Sequence, residues 1–124
     1  MTVDICRLFA AVAAVMVISA GARADFMTGN TLYAHCTSAN ASDQSFCFGY
    51  TAAIADAAQG PPQPLPGGGE KSVAGYTQCG PETVTNQQVT DIVVRYLAAH
   101  PEIRHTAAWA LVGSALEQAF PCPR

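Results

Sequence analysis

Positive charge is scarce in this sequence. Lys71 is the single lysine, and six lysines and arginines stand against nine acids in 124 residues, a formal net charge of −3. There is no basic stripe, which removes nucleic acid and anionic membrane surfaces from the partners the chain would hold by charge. Catalytic signatures are missing too. The sequence has no G-x-S-x-G elbow, no phosphate-binding G-x-x-x-x-G-K-[ST] loop and no G-x-G-x-x-G turn. Gly67-Gly68-Gly69 has no strand pattern before it, and Glu70 stands where a phosphate-binding loop needs its lysine directly after glycine. No C-x-x-C or C-x-x-H spacing occurs, so a zinc knuckle is excluded. His100 and His105 bracket Glu102, but they lack the i, i+4 helical spacing of zinc hydrolases, and Pro101 intervenes. Turn and cap roles suit them better. No catalytic residue, metal ligand or cofactor is expected, and the chain reads as a binder rather than an enzyme.

What is present begins with an export signal. Arg7 precedes a nearly uninterrupted apolar run, Leu8 to Ala20, and Ala22-Arg23-Ala24 supplies a small-x-small exit. Thirteen residues are too few for a bilayer span, which takes about 20. Residues 1–24 are therefore read as a cleaved signal peptide and 25–124 as one small domain with no membrane attachment. That domain carries Lys71, Arg95, Arg104 and Arg124 against eight acids, a net charge of −4. Cys6 leaves with the signal. Cys36, Cys47, Cys79 and Cys122 remain, an even set that reads as two disulfides in an exported domain.

The expected fold is all-α, a small four-helix domain stapled by those disulfides. Phe26–Ala39 is a first short helix. Ser42 or Asp43 caps a second, running to Gln59, with Phe46, Cys47, Tyr50, Ile54 and Ala57 on one face. In an antiparallel hairpin Cys36 and Cys47 sit level, which favours their pairing. Residues 60–78, rich in proline and glycine, cannot continue a helix and form a long flexible loop. Thr85-Asn86-Gln87-Gln88 fits a capping box, followed by Val89, Ile92, Val93, Tyr96 and Leu97 at helical spacing. This third helix ends near His100, because the residue before a proline is pushed out of the helical region. The last helix spans Thr106–Phe120, and Cys122 closes back on Cys79. Residues 107–113 contain no polar side chain, so the helix needs cover on every side. Either it is central, or the face of Trp109, Gly113, Leu116 and Phe120 meets a second subunit. Close approach of another helix would explain Gly113.

The pieces F-C-F-G-Y-T-A-A-I-A-D (Phe46–Asp56), C-G-P-E-T-V-T-N-Q-Q-V (Cys79–Val89), Y-L-A-A-H-P-E (Tyr96–Glu102) and A-F-P-C (Ala119–Cys122) are similar to the Rap/Tai family of type VI secretion immunity proteins. The resemblance covers most of residues 25–124 except the Pro/Gly loop. It implies an all-helical, often dimeric periplasmic protein that binds and blocks a peptidoglycan amidase effector. A protein partner and a homodimer are accordingly expected, with the turn residues Pro101, Glu102, Arg104 and His105 as candidate partner contacts. Two other readings suit a small stapled helical domain: an acid-stress chaperone, or a structural envelope protein without a toxin partner.

Overall fold

A computed structural model of the chain describes residues 26–61, 63, 64, 66 and 75–123. The predicted signal peptide and most of the Pro/Gly loop lie outside these residues. Four helices follow in order: α1 (Gly29–Thr37), α2 (Ala41–Ala57), α3 (Asn86–Ala99) and α4 (Ala108–Ala119). Each packs against the other three. The described residues form no extended strand, only isolated bridges such as Thr28 with Ala107 and Gln59 with Gln78. The all-α expectation holds.

The core lies where the helical faces converge. Leu32 of α1, Ile54 and Ala55 of α2, Val89, Val93 and Leu97 of α3, and Ala108, Leu111, Val112, Ala115 and Leu116 of α4 form one buried cluster. α3 starts as its sequence dictates. The Thr85 hydroxyl accepts the Gln88 N–H at 3.2 Å, and the Gln88 side chain accepts the Thr85 N–H at 2.8 Å. α2 is capped two residues before the first of the two expected positions, by Asn40, whose Oδ1 accepts the Ser42 N–H. Asp43 is used elsewhere, as described below.

The ends of α1 and α4 are shorter than predicted, for one shared reason. The Ala108 N–H donates to the Met27 carbonyl and the Gly29 N–H to the Thr106 carbonyl, both at 2.9 Å. This small antiparallel bridge keeps residues 106–107 extended, so α4 begins at Ala108 instead of Thr106. It likewise keeps Met27 and Thr28 out of α1.

Both disulfides close as favoured. Cys36 pairs with Cys47 and Cys79 with Cys122, at Cα separations of 5.1 and 4.8 Å. In the chain-entropy account they contribute about 3 and about 4 kcal/mol, large against a domain total of roughly 5–15 kcal/mol.

The Pro/Gly segment is less free at its end than its composition suggests. Thr77 and Gln78 are buried. The Gln78 backbone takes the Gly60 N–H and gives its own to Ala58, both at 2.8 Å. Its side chain donates to the Ala55 carbonyl and to Gln59, and accepts the Gly80 N–H. Just before it, Tyr76 lies flat on Gly113. A Cβ at Gly113 would stand 2.6 Å from Tyr76 Cγ. The close approach expected there from another helix is made by an aromatic ring of the same chain.

Two glycine substitutions should therefore diverge in a thermal melt of the oxidised protein. Gly49 sits inside α2 with open space around its Cβ position. Gly49→Ala should raise stability by up to about 1 kcal/mol through helix propensity. Gly113→Ala gains the same propensity but overpacks against Tyr76, and should lose about 1–3 kcal/mol. Equal melting shifts of the same sign would contradict this packing.

Candidate interaction site

The turn between α3 and α4 collects the residues singled out as partner contacts. It is built from two successive tight turns. The Ile103 N–H donates to the His100 carbonyl at 3.3 Å, and the Thr106 N–H to the Ile103 carbonyl at 2.9 Å. Pro101 presets the first of these through its fixed φ. The Thr106 hydroxyl adds a second bond to Ile103. Ile103 packs inward against the core.

α1 holds this turn from below. The free N–H groups at its start find carbonyls of the turn: Gly29 donates to Thr106 and Asn30 to Arg104, the latter at 2.7 Å. These bonds satisfy two of the donors every helix N-terminus leaves unpaired. The approach requires glycine, because a Cβ at position 29 would stand 2.3 Å from Leu111 Cδ1 and 2.9 Å from the Arg104 carbonyl. The Arg104 guanidinium lies 4.5 Å above the Tyr33 ring of α1. Arg104 is thus a strut between turn and helix. Pro101, Glu102 and His105 are exposed at the tip. Glu102 meets His100 Nδ1 at 3.2 Å. A bond from its own backbone, then the histidine, hold its carboxyl below the usual range.

A second surface adjoins the first. Phe46 and Trp109 are 44% and 38% exposed, large values for such side chains. His35 packs on Phe46 with ring centroids 4.9 Å apart, and Phe46 on Tyr50 at 6.0 Å. Tyr76 meets Trp109 edge-on at 6.3 Å. Tyr50 joins the halves by bringing its phenol up to the Trp109 backbone. Burial pushes the Tyr50 hydroxyl up and the Trp109 contact opposes that shift, as a donated N–H would. The residue before α4 is Ala107, which offers no capping side chain. The Met27 carbonyl takes the Ala108 N–H in its place, with the Tyr50 phenol beside the next backbone unit.

At the far end of the strip, Asp43 accepts from Ser38 Oγ at 2.7 Å and meets His35 Nδ1 at 3.0 Å. The Ser38 hydroxyl first, then His35, hold its carboxyl below the usual range.

Of the four residues read as a second apolar face of α4, Leu116 is buried in the core and Gly113 lies under Tyr76. Phe120 is half-buried and faces Gly80. Trp109 alone remains substantially exposed. The strip containing Phe46 and Tyr50 was not legible as a surface, since their four-residue spacing matches the buried face. The buried face of α2 is instead Cys47, Thr51, Ile54 and Ala55. The hidden signal was Thr51, a polar residue inside that face. Its hydroxyl bonds to the Cys47 carbonyl and to Thr90 of α3. Among the described residues no group of three or more His, Cys, Asp or Glu is placed to hold a metal, and no helix is long and apolar enough to cross a membrane.

Two outcomes test this site. Tyr50→Phe removes the hydroxyl beside the start of α4 and should cost about 1 kcal/mol in a denaturant titration; an unchanged midpoint would show that the start of α4 does not use the phenol. Asp43 has a depressed folded pKa, so its contribution to stability is present above the unfolded value near 3.9 and fades as pH falls through the lower folded value. Asp43→Asn should flatten that acid limb of the melting temperature against pH. Parallel curves for both proteins would remove Asp43 from it.

A family model for Rap1a immunity proteins matches residues 28–122. No curated protein matches the chain. The matched span contains all four helices, both disulfides, the α3–α4 turn and the aromatic strip. The chain belongs to the Rap1a immunity protein family.

Proposed function

We propose that this protein is a periplasmic immunity protein that binds and inhibits a peptidoglycan amidase delivered by type VI secretion. The observation that carries the reading is the α3–α4 turn, exposed at its tip yet fastened to α1 through the carbonyls of Arg104 and Thr106. A short, preformed projection enters a cleft without the ordering cost that a loose loop would incur on binding. Its tip offers a proline, a carboxylate and two imidazoles, enough for shape and hydrogen bonding but with no reactive group. Inhibition by such an element is occlusion: the turn occupies the space a wall peptide needs.

The compartment follows from two features. The N-terminal segment has the pattern of a cleaved export signal, and disulfides of this kind persist in oxidising surroundings such as the periplasm. A wall-cutting enzyme injected by a neighbouring cell does its damage there, so protection has to be present there.

The direct test uses the oxidised protein, residues 25–124, and purified type VI peptidoglycan amidases. Binding near the nanomolar range and loss of peptidoglycan hydrolysis at equimolar ratio are expected. Replacing Glu102 and His105 by alanine together should weaken binding about tenfold or more with an unchanged far-UV spectrum. Full hydrolysis in the presence of a tenfold excess of the protein would refute the reading.

A further inference from the structure

The aromatic strip is not needed to close the core, yet it is built with care. Phe46 and Trp109 stay exposed although the rings of His35, Tyr50 and Tyr76 pack on them. Trp109 is the second residue of α4 and follows the turn by three positions. The start of α4 is bonded to Met27 and packs on α2, so turn and strip share one frame. Exposed, immobilised aromatic side chains are the composition of a protein-binding hot spot.

The charges beside the strip say what fits it. Asp43 stands at one end, bonded to the His35 ring that packs on Phe46. Glu102 supplies a second carboxylate on the turn, seven residues before Trp109. The nearest guanidinium, Arg104, is spent on Tyr33. Arg95 lines a separate groove between α3 and α4, with Tyr96 and Gln118. A second copy of this chain would therefore bring carboxylates against carboxylates, with no cation among the described residues placed beside the strip to offset them. A partner carrying arginine or lysine on an apolar background would place its cations over the Phe46 and Trp109 rings and near the two carboxylates.

We propose that the strip His35–Phe46–Tyr50–Trp109 forms the second half of the effector-binding surface and receives a basic, apolar segment of the protein whose cleft takes the α3–α4 turn. The proposal rests on the immunity reading above. It makes the turn the blocking element and the strip the element that supplies affinity and selects the partner.

Calorimetric titration of the oxidised protein with the amidase it inhibits in the test above checks it, with thermal melts and light scattering as controls. Phe46→Ala and Trp109→Ala should each weaken binding about 30-fold or more, with the molecular mass unchanged. Trp109→Phe keeps a ring and should restore most of the affinity. At exposed Phe46, lysine should weaken binding more than glutamate does, because only lysine repels a basic partner. This pair leaves the Tyr50–Trp109 contact intact, so it stays informative even if Trp109→Ala unfolds the chain. Three results would overturn the proposal. Alanine variants that bind as wild type while turn variants fail would confine the interface to the turn. A halved mass for Trp109→Ala or Phe46→Ala would assign the strip to a second copy. Equal losses for Phe46→Lys and Phe46→Glu would reject a basic partner segment. If the unaltered protein does not bind the amidase at all, the immunity reading fails first and this proposal falls with it.

Discussion

Three backbone hydrogen bonds between the lead-in of α1 and the α3–α4 turn carry this architecture: Gly29 to Thr106, Asn30 to Arg104, and Ala108 to Met27. A helix of nine residues has little stability alone. α1 persists because its start is bonded to the turn, its Leu32 is wholly buried, and Cys36 ties its end to Cys47 of α2. The turn gains in return. An eight-residue connection with an exposed tip would otherwise sample many shapes. Here its carbonyls are occupied by donors that no other part of α1 can satisfy.

The two disulfides have different tasks within that frame. Cys36–Cys47 clamps the short splint and so acts on the turn at one remove. Cys79–Cys122 draws the end of the chain to the entry of α3. There the Cys79 N–H donates to the Phe120 carbonyl, and Gln78 links α2 to Gly80. It also holds the return of the Pro/Gly segment where Tyr76 covers Gly113. An apolar helix such as α4 needs that cover, and a ring from a loop supplies it at lower cost in chain length than a fifth helix. One side of the molecule is thus sealed by its own chain, while the strip from His35 to Trp109 is left open beside the turn.

Much of this was legible in the residues. The Thr85 capping box and the spacing of Val89, Val93 and Leu97 define α3 by local chemistry. The cysteine positions imply both pairings once the helices are taken as hairpins. What could not be seen depends on partners distant in sequence. Phe46 and Tyr50 have the spacing of a core face, but the Cys36–Cys47 bond, the buried Ile54 and Ala55 and the Thr51–Thr90 hydroxyl pair all lie on the neighbouring face, which is the one turned inward. Gly113 announces a close approach without naming what approaches. Arg104 reads as a surface charge because cation–aromatic stacking on Tyr33 has no local signature. The starts of α1 and α4 were misplaced by a few residues because a tertiary bridge, not a capping side chain, sets them.

The central claim is that the turn is preformed in the free protein. Native-state hydrogen exchange of the oxidised chain measures it most directly, at the amides of Gly29, Asn30 and Ala108. The account expects these to be protected nearly as strongly as the core amides of Val93 and Leu97, and to lose protection ahead of α3 when Cys36 and Cys47 are both replaced by alanine. Exchange of the three amides at the rate of an unstructured peptide, with α3 still protected, would mean that the turn takes shape only on its partner.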